Sequence, residues 1–224
     1  MSATVELAHA TALFTDRSDG DLGRTEGPAT VEVLGNRAAL LARHGLPGVA
    51  VPRQVHGAVV ATVERCAGYE VAVATADGLA TTASRTPLAV HVADCLPIVI
   101  AGAGGVSVVH AGWRGLASGV IARGVAELRA LGVSGRLEAA IGPAAAGCCY
   151  EAGAEVHEAL GRSSVKGHGR IDLPALAAVA LTEVGVASVT AVGVCTLCAP
   201  RGTHFSHRRD GPDTGRQAGI AWIR

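Results

Sequence analysis

The feature that most limits the possible folds is an apolar stretch over residues 88–115, which predicts two buried strands separated by a glycine-rich turn. The first strand has the sequence LAVHVADCLPIVIA, and the second has VSVVHAGWRG. Continuous apolar runs of this kind are typical of strands that are covered on both faces. Asp94 and Cys95 close the first strand before Pro97 restarts an extended segment. Cys95 and His110, at the end of the second strand, can each bind a metal, and the thiol is also a possible nucleophile.

The composition favours a layered α/β (α+β) protein. Hydrophobic residues make up 49% of the 224 residues, but only 3% are aromatic, so the core must consist mainly of Val, Leu, Ile and Ala. The 30 glycines favour closely packed layers of strands and helices. Neither a repeat nor a linker divides the chain, and we therefore expect a single domain over residues 1–224.

Charge and hydropathy exclude several classes of partner. Nineteen basic and nineteen acidic residues balance, so nothing points to a nucleic-acid or membrane partner. No apolar run approaches the roughly 20 residues that span a bilayer, and residues 1–15 do not resemble a signal peptide. Six cysteines in a chain of this length are typical of free thiols in a reducing compartment. We expect a cytoplasmic protein.

Hydrophobic periodicity and punctuation by Gly, Pro and Asp predict the main elements. The polar, glycine-rich residues 16–28 predict a loop of the kind that often borders a site, and residues 163–169 predict another loop. The predicted helices cover residues 30–44, 116–131 and 173–183, with Asp172 as the N-cap of the last. The predicted strands include residues 71–76, 137–141, 189–194 and 217–223. Residues 4–15 are predicted as one strand, or as two with a kink.

Three residues form a candidate metal-binding set. His56, Cys95 and His110 each lie at a strand end or sharp turn close to a glycine. Two imidazoles and one thiolate suit Zn²⁺, with the fourth position left for water or substrate. The alternative from spacing alone is two structural histidines and a buried thiol. A further alternative is a nucleophilic Cys95 activated by His110, with Asp94 or Asp77 orienting the imidazole.

A second cysteine motif is Cys195-x-x-Cys198, which is typical of a redox pair or half of a zinc knuckle. A zinc knuckle needs a second pair of ligands. The only adjacent candidates, Cys148 and Cys149, are neighbours in sequence and are not expected to chelate in the same way. We therefore do not expect a metal site there.

Cationic and aromatic residues suggest an anion and a planar base as ligands. The sequence predicts that the second central strand turns through glycine into a helix, whose free N–H groups favour an anion. Trp113 and Arg114 lie at this helix start and offer a flat apolar face beside a cation. Arg208 and Arg209, with Arg216, form a basic cluster whose guanidinium groups suit phosphate or carboxylate.

The motifs together resemble one family. They resemble the YfiH family, also called the laccase-domain or peptidoglycan-editing-factor family, whose members are regarded as zinc-dependent purine nucleoside phosphorylases. The similarity extends from about residue 36 to the C-terminus. The motifs that carry it are QVHG at residues 54–57, ADCLP at 93–97, HAGWRG at 110–115, IGP at 141–143, CYE at 149–151, CT at 195–196, FSHRRDG at 205–211 and TGR at 214–216.

The resemblance implies an α-β-β-α sandwich in which two sheets pack between helices. It implies that His56, Cys95 and His110 bind Zn²⁺, or Cu²⁺, in a monomer or homodimer. The implied reactions are phosphorolysis of adenosine, inosine and methylthioadenosine, and deamination of adenosine. Asp94 and Arg114 are the further candidate catalytic residues. The candidate substrate contacts are Arg37, Asp77, Trp113, Arg208 and Arg209.

Three other functions remain open at this point. One is a copper-dependent polyphenol oxidase, because two imidazoles and a thiolate can also bind Cu²⁺. Another is a cysteine hydrolase that edits peptidoglycan precursors, with Cys95 as the nucleophile. A non-enzymatic alternative is a module that senses nucleotides or metals.

Overall fold

The structure is a computed structural model, and it describes residues 2–162 and 167–224. Two six-stranded sheets pack face to face, with helices on their outer sides. The helices are α1 (Val31–His44), α2 (Trp113–Ala117), α3 (Val120–Ala130), α4 (Ala154–Ala159), α5 (Leu173–Glu183) and α6 (His207–Asp210). Most of the loop predicted over residues 163–169 lies outside the described residues.

The first sheet is mixed and contains both ends of the chain. It consists of β1 (Ala3–Glu6), β2 (Ala10–Phe14), β3 (Gly48–Arg53), β5 (Gly68–Thr75), β7 (Leu88–Val92) and β14 (Gln217–Ile223). Their spatial order is β1-β2-β14-β7-β3-β5. The strand β14 pairs antiparallel with both β2 and β7, which places the C-terminal strand in the middle of the sheet.

The second sheet holds the rest of the central apolar stretch. It consists of β4 (Val60–Thr62), β6 (Gly78–Thr81), β8 (Leu96–Gly102), β9 (Gly105–Ala111), β10 (Glu138–Ile141) and β13 (Ser188–Ala191), in the order β13-β10-β8-β9-β6-β4. A separate short pair joins β11 (Glu151–Ala152) to β12 (Gly169–Arg170).

Three apolar layers hold the sheets and helices together, as the predicted α-β-β-α sandwich requires. Between the sheets, Phe14 and Val90 of the first sheet pack in one buried cluster with Val108 of the second. On the outer side of the second sheet, Leu128 and Leu181 from α3 and α5 join a second cluster. A third cluster includes Leu40 of α1, packed on the first sheet. Each fully buried aliphatic side chain of this type contributes about 1.5–3 kcal/mol.

The central stretch differs from the prediction in one useful way. It forms three strands, because the chain leaves the first sheet after β7 and enters the second sheet at β8. Cys95 lies in the connection, and Pro97 is the second residue of the new strand. The predicted break at Asp94 and Cys95 is therefore a crossing between sheets.

The helix predictions are confirmed with one correction. Thr30 caps α1 by accepting a hydrogen bond from the Val33 N–H, and Asp172 caps α5 in the same way through the Ala175 N–H. The predicted helix over residues 116–131 is instead two helices, because Gly119 adopts the left-handed conformation between α2 and α3. No helix in the described part of the chain is long and apolar enough to cross a bilayer.

Candidate metal centre

The pairing of β8 with β9 brings Cys95 next to His110. These strands are antiparallel neighbours, and Pro97 at the start of β8 is opposite His110 near the end of β9. Cys95 lies just before β8, so its thiol falls beside the His110 ring. Asp94, directly before Cys95, has a positive φ of 87°, a conformation that costs free energy in a residue other than glycine and is common at functional sites.

The buried carboxylate of Asp77 organises both histidines. It accepts hydrogen bonds from three backbone N–H groups in the turn after β3, those of Val55 at 3.2 Å, His56 at 2.8 Å and Gly57 at 2.6 Å. The same carboxylate lies 2.9 Å from Nδ1 of His110. These contacts stabilise the turn in which His56 has a φ of 60°, and they leave Nε2 of His110 free to face Cys95. Carboxylates commonly orient metal-binding histidines in this way.

The three predicted ligands meet at one point. One ligand atom from each of His56, Cys95 and His110 lies within 4.8 Å of the other two. The two imidazole rings are in edge contact, with centroids 4.9 Å apart. Gly112 leaves the room they need, because a Cβ atom at this position would lie 2.9 Å from the Cys95 sulfur. The set matches the three protein ligands of an open zinc site, and copper accepts the same donors.

The neighbouring histidines favour the thiolate form of Cys95. Burial alone would raise the pKa of this thiol, but the charge and hydrogen bond of His110, together with contacts from His56, lower it to about 6. Burial disfavours a charged His110, yet Cys95 and Asp77 raise its pKa to about 9. The thiolate is the form of cysteine that binds metals and acts as a nucleophile.

A cavity of about 770 Å³ opens in front of the three ligands. A volume of this size lies within the range of small-molecule sites. The cavity is cationic and partly aromatic. Arg24, Arg114, Arg208 and Arg216 line it together with Trp113 and Tyr150, and Glu26 and Asp94 are its acidic residues.

Two cation–aromatic pairs form part of the cavity lining. The Arg114 guanidinium lies 4.3 Å from the centroid of the Trp113 ring, and that of Arg208 lies 5.2 Å from the Tyr150 ring. Stacking of this kind holds a guanidinium in place and leaves its edge available to an anion. Trp113 and Arg114 therefore lie together at the site, as the sequence indicated.

The carboxylate of Asp94 holds the cavity wall in place. One oxygen accepts a hydrogen bond from the Thr196 hydroxyl at 2.6 Å, and the other accepts one from the Arg208 N–H at 2.7 Å. Asp94 therefore connects the Cys95 turn to two distant segments of the chain. Because both of its carboxylate oxygens accept hydrogen bonds, Asp94 is better suited to a positioning role than to acid–base catalysis.

Three predicted substrate contacts lie outside the cavity lining. Arg37 is buried, where its Nε donates to the Leu22 carbonyl and its guanidinium lies 5.0 Å from the Tyr69 ring centroid. Arg209 is used in backbone contacts with Thr196, Ala199 and His204. Asp77 is fully buried behind His110. The structure gives these three side chains structural or positioning roles.

Several lining residues were not singled out from the sequence as site residues. Arg24 and Glu26 come from the loop at residues 16–28, for which a position near a site was predicted without naming a residue. Tyr150 belongs to the CYE motif, and its position after the adjacent cysteines was the available signal. His91 also lines the cavity, but a histidine within an apolar strand gave no signal that distinguished it from a core residue.

The expectation that Cys148 and Cys149 cannot act together with Cys195 and Cys198 was wrong. Cys148, Cys149, Cys195 and Cys198 form a second group, whose sulfur atoms all lie within 4.8 Å of one another. We call this group the four-cysteine cluster. Adjacency in sequence did not prevent Cys148 and Cys149 from pointing to the same place, because they lie in a turn.

Comparison with known proteins agrees with this architecture. A family described as multi-copper polyphenol oxidoreductase laccase matches residues 13–224 of this chain. The protein therefore belongs to this laccase-like family. The recognition of the YfiH family from the motifs is confirmed, because a protein titled YfiH from Bacillus licheniformis has the same fold, with a TM-score of 0.83, 25% identity and coverage of 96% of this chain and 93% of that one.

Other relatives extend the comparison. YlmD from Geobacillus stearothermophilus has a TM-score of 0.84 and 28% identity, and the match covers 97% of this chain and 93% of that one. A purine nucleoside phosphorylase of Xylella fastidiosa is 40% identical over 223 residues, covering 91% of this chain and 84% of the relative. One from Mycobacterium tuberculosis is 40% identical over 215 residues, with the same coverage. These names support an enzyme.

Proposed function

We propose that the protein is a zinc-dependent purine nucleoside phosphorylase, which acts on adenosine, inosine and methylthioadenosine and also deaminates adenosine. The observation that carries the proposal is the meeting of His56, Cys95 and His110 beside a cavity that has both arginine and aromatic side chains. The similar proteins from Xylella fastidiosa and Mycobacterium tuberculosis are named purine nucleoside phosphorylases, which supports the same reaction class. The choice of zinc rests on the donor set.

Phosphorolysis needs an anion and a nucleoside held in a defined orientation. A phosphate oxygen forms a bond to C1′ of the ribose while the C1′–N9 bond breaks, and the purine leaves with the electron pair and takes a proton. Arg114 and Arg208 are the residues we assign to phosphate, since each guanidinium is held over an aromatic ring at the cavity wall. Charge-assisted contacts from two fixed guanidinium groups orient the attacking oxygen.

The aromatic side chains and the ligand set complete the arrangement. Trp113 and Tyr150 provide flat surfaces for stacking of the purine ring. A zinc ion bound by the three side chains would supply Lewis acidity to an oxygen atom of phosphate or water, which is the chemistry that deamination also needs. The contribution of Asp77 is to keep His110 in the tautomer with a free Nε2.

The experiment is to incubate the zinc-loaded protein with adenosine, with and without phosphate, and to identify the products by chromatography. We expect adenine and ribose 1-phosphate only when phosphate is present, and inosine in both cases. A matched reaction with the Cys66→Ala variant serves as a control, because this thiol lies outside both cysteine sites. The absence of both products would contradict the proposal.

A second candidate function is a cysteine hydrolase. The thiol of Cys95 contacts the imidazole of His110, and the buried carboxylate of Asp77 orients that imidazole. This is the arrangement of a catalytic triad. A triad does not need His56, whereas a three-ligand metal site does. Full activity of a His56→Ala, metal-free protein on acylated substrates, with Cys95 becoming acylated, would favour the hydrolase over the phosphorylase.

The family description favours a third possibility, a copper-dependent phenol oxidase. Reduction of oxygen to water by a multi-copper enzyme needs several coppers with histidine ligands. In the described residues, the only other group of potential ligands is the four-cysteine cluster, which has no histidine. Oxidation of phenols by a copper-loaded protein at a rate above that of its zinc form, with no nucleoside turnover, would select this function.

A further inference from the structure

The four-cysteine cluster lies outside the cavity and has no role in the proposed reaction. Its sulfur atoms are within 4.8 Å of one another, and those of Cys148 and Cys198 are 3.5 Å apart. Cys148 and Cys198 are exposed to solvent, and the other two thiols are half-buried. Four thiols gathered at a surface add little to the apolar core, so burial does not explain why they converge.

The backbone holds the two turns of the cluster together. One turn contains Cys148 and Cys149, and the other contains Cys195 and Cys198. Ala144, shortly before the first turn, forms an isolated parallel bridge to Cys195, and its carbonyl accepts the Thr196 N–H at 3.0 Å. Each turn is therefore placed by hydrogen bonds that do not involve the sulfur atoms.

Cys195 and Cys198 are separated by two residues. The Cys-x-x-Cys spacing is the usual one for a pair of zinc ligands.

The dimensions also fit a tetrahedral ion. With Zn–S bonds of about 2.3 Å, the edges of a tetrahedron of sulfur atoms measure about 3.8 Å. The sulfur atoms of Cys148 and Cys198 are 3.5 Å apart, and no pair in the cluster exceeds 4.8 Å. Side-chain adjustments of about 1 Å therefore complete the tetrahedron. Four soft sulfur ligands in this geometry select zinc or an iron–sulfur centre, and they leave no position open for a substrate.

We propose that Cys148, Cys149, Cys195 and Cys198 bind a second zinc ion in a closed, structural site. The site joins the two segments that form one wall of the cavity. Cys149 precedes Tyr150, which lines the cavity, and Cys195 precedes Thr196, which donates to Asp94 at 2.6 Å. The ion would keep this wall in position, and this role does not depend on which reaction the protein catalyses.

The first measurement is the zinc content of the purified full-length protein, by elemental mass spectrometry. We expect two zinc ions per chain in the wild type and in Cys66→Ala. We expect one ion in Cys95→Ala and one in the double variant Cys148→Ser/Cys198→Ser. Wild-type protein with a single zinc that Cys95→Ala loses and the double variant keeps would overturn the proposal, as would iron bound by the four thiols.

A second measurement uses the wild-type chain alone, in case the double variant does not fold. Cysteines are alkylated before and after removal of metal by a chelator, and the peptides are analysed by mass spectrometry. Zinc-bound thiolates are protected, so we expect all four cysteines of the cluster to react only after chelation. Reaction of the exposed Cys148 and Cys198 before chelation, or disulfides among the four under non-reducing purification, would contradict the proposal.

Cobalt substitution gives a spectroscopic test of the ligand set. Thiolate ligands produce charge-transfer absorption in the near ultraviolet, whose intensity increases with the number of sulfur ligands. The Cys95→Ala protein loaded with Co²⁺ should keep the intense absorption of a tetrahedral four-thiolate site. The Cys148→Ser/Cys198→Ser protein should keep only the weaker absorption of one thiolate. Equal spectra from these two variants would contradict a four-thiolate site.

Discussion

The two sulfur-containing sites differ in burial, ligand number and surroundings. The first consists of His56, Cys95 and His110, where buried strands end and a cavity of about 770 Å³ begins. The four-cysteine cluster lies on two surface turns and does not line that cavity. Three ligands beside a cavity leave room for chemistry, whereas four ligands leave none. The difference teaches that the cysteine pattern that is more conspicuous in the sequence need not be the one that lies at the cavity.

The strongest test of this comparison is the Cys95→Ala substitution. We expect metal binding at the first site to be lost and kcat/KM to fall by at least about 10³-fold, because Lewis-acid stabilisation is worth several kcal/mol and each 1.4 kcal/mol is a factor of ten. Initial rates and zinc content, measured on the same sample, check the prediction. Cys66→Ala should keep both properties. A metal-free Cys95→Ala protein with wild-type activity would contradict the assignment of the reactive site.

The support given by Asp77 to the first site predicts a smaller effect. Asp77→Asn replaces an acceptor carboxylate with an amide that cannot accept from three backbone N–H groups and His110 in the same way. We expect the zinc affinity to fall by about 10–100-fold, as for other partners of metal-binding histidines. Competition with a chromophoric chelator measures the affinity. Glu26→Gln, which removes a carboxylate of the cavity lining, is the matched control and should change zinc affinity little.

Arg208 and Arg209 are adjacent in sequence, yet Arg208 lines the cavity and Arg209 donates to three backbone carbonyls outside it. We expect Arg208→Ala to raise KM for phosphate by about tenfold, through the loss of one charge-assisted contact of roughly 1.4 kcal/mol. Arg209→Ala should instead lower the free energy of unfolding by about 3 kcal/mol, because three backbone carbonyls lose their donor. Phosphate-dependent kinetics and urea unfolding of both variants separate the roles. Equal changes in both variants would contradict this difference.

Loss of the four-cysteine cluster should affect stability more than chemistry. For the Cys148→Ser/Cys198→Ser variant we expect Tm to fall by at least about 5 °C. This shift corresponds to a loss of roughly 1–3 kcal/mol in the free energy of unfolding, because 1 kcal/mol shifts Tm by roughly 2–4 °C in a chain of this size. We expect kcat to fall by less than about tenfold, because the ligands of the first site are intact. Calorimetry and initial rates at a temperature well below Tm test this. A larger loss of kcat with unchanged Tm would give the cluster a direct part in the reaction.

The smallest effect concerns pH and the buried His91. Burial, followed by the charge of Arg37, lowers the pKa of His91 to about 3, and the Tyr69 hydroxyl lies 2.8 Å from its Nε2. In the unfolded chain, His91 has its ordinary pKa of about 6.5. The contribution of the neutral histidine to the free energy of unfolding is therefore fully present above that pH. Its contribution is lost progressively as pH falls from about 6.5 toward 3.

The measurement is urea unfolding of the wild type and His91→Gln at pH 7 and pH 5. The variant has no titrating group at this position, so its stability should fall less between the two values. The other groups titrate equally in both proteins, so the difference between the two pH-dependent losses of stability comes from His91. The prediction would be contradicted if wild type and His91→Gln differed in stability by the same amount at pH 7 and pH 5.

Local patterns predicted most of the helices, and they also selected three residues whose ligand atoms lie within 4.8 Å of one another. The helical spacing of residues 30–44 and the Asp172 cap predicted α1 and α5, since both depend on residues close together in sequence. His56, Cys95 and His110 were selected because each follows an apolar segment at a turn close to glycine. The sequence could not give the break at Gly119, because glycine is compatible with a helix interior and with a left-handed turn.

The sequence by itself determined which residues carry reactive groups, the alternation of buried strands and helices, and the family. Only the tertiary structure decided which of those groups meet. The hydrogen bond between Asp77 and His110 joins residues 33 positions apart, and the one between Thr196 and Asp94 joins residues 102 positions apart. Both depend on the pairing and packing of distant segments. Cys148 and Cys149 join Cys195 and Cys198 for the same reason. Local propensity acts over one turn or strand, whereas long-range pairing brings these side chains together.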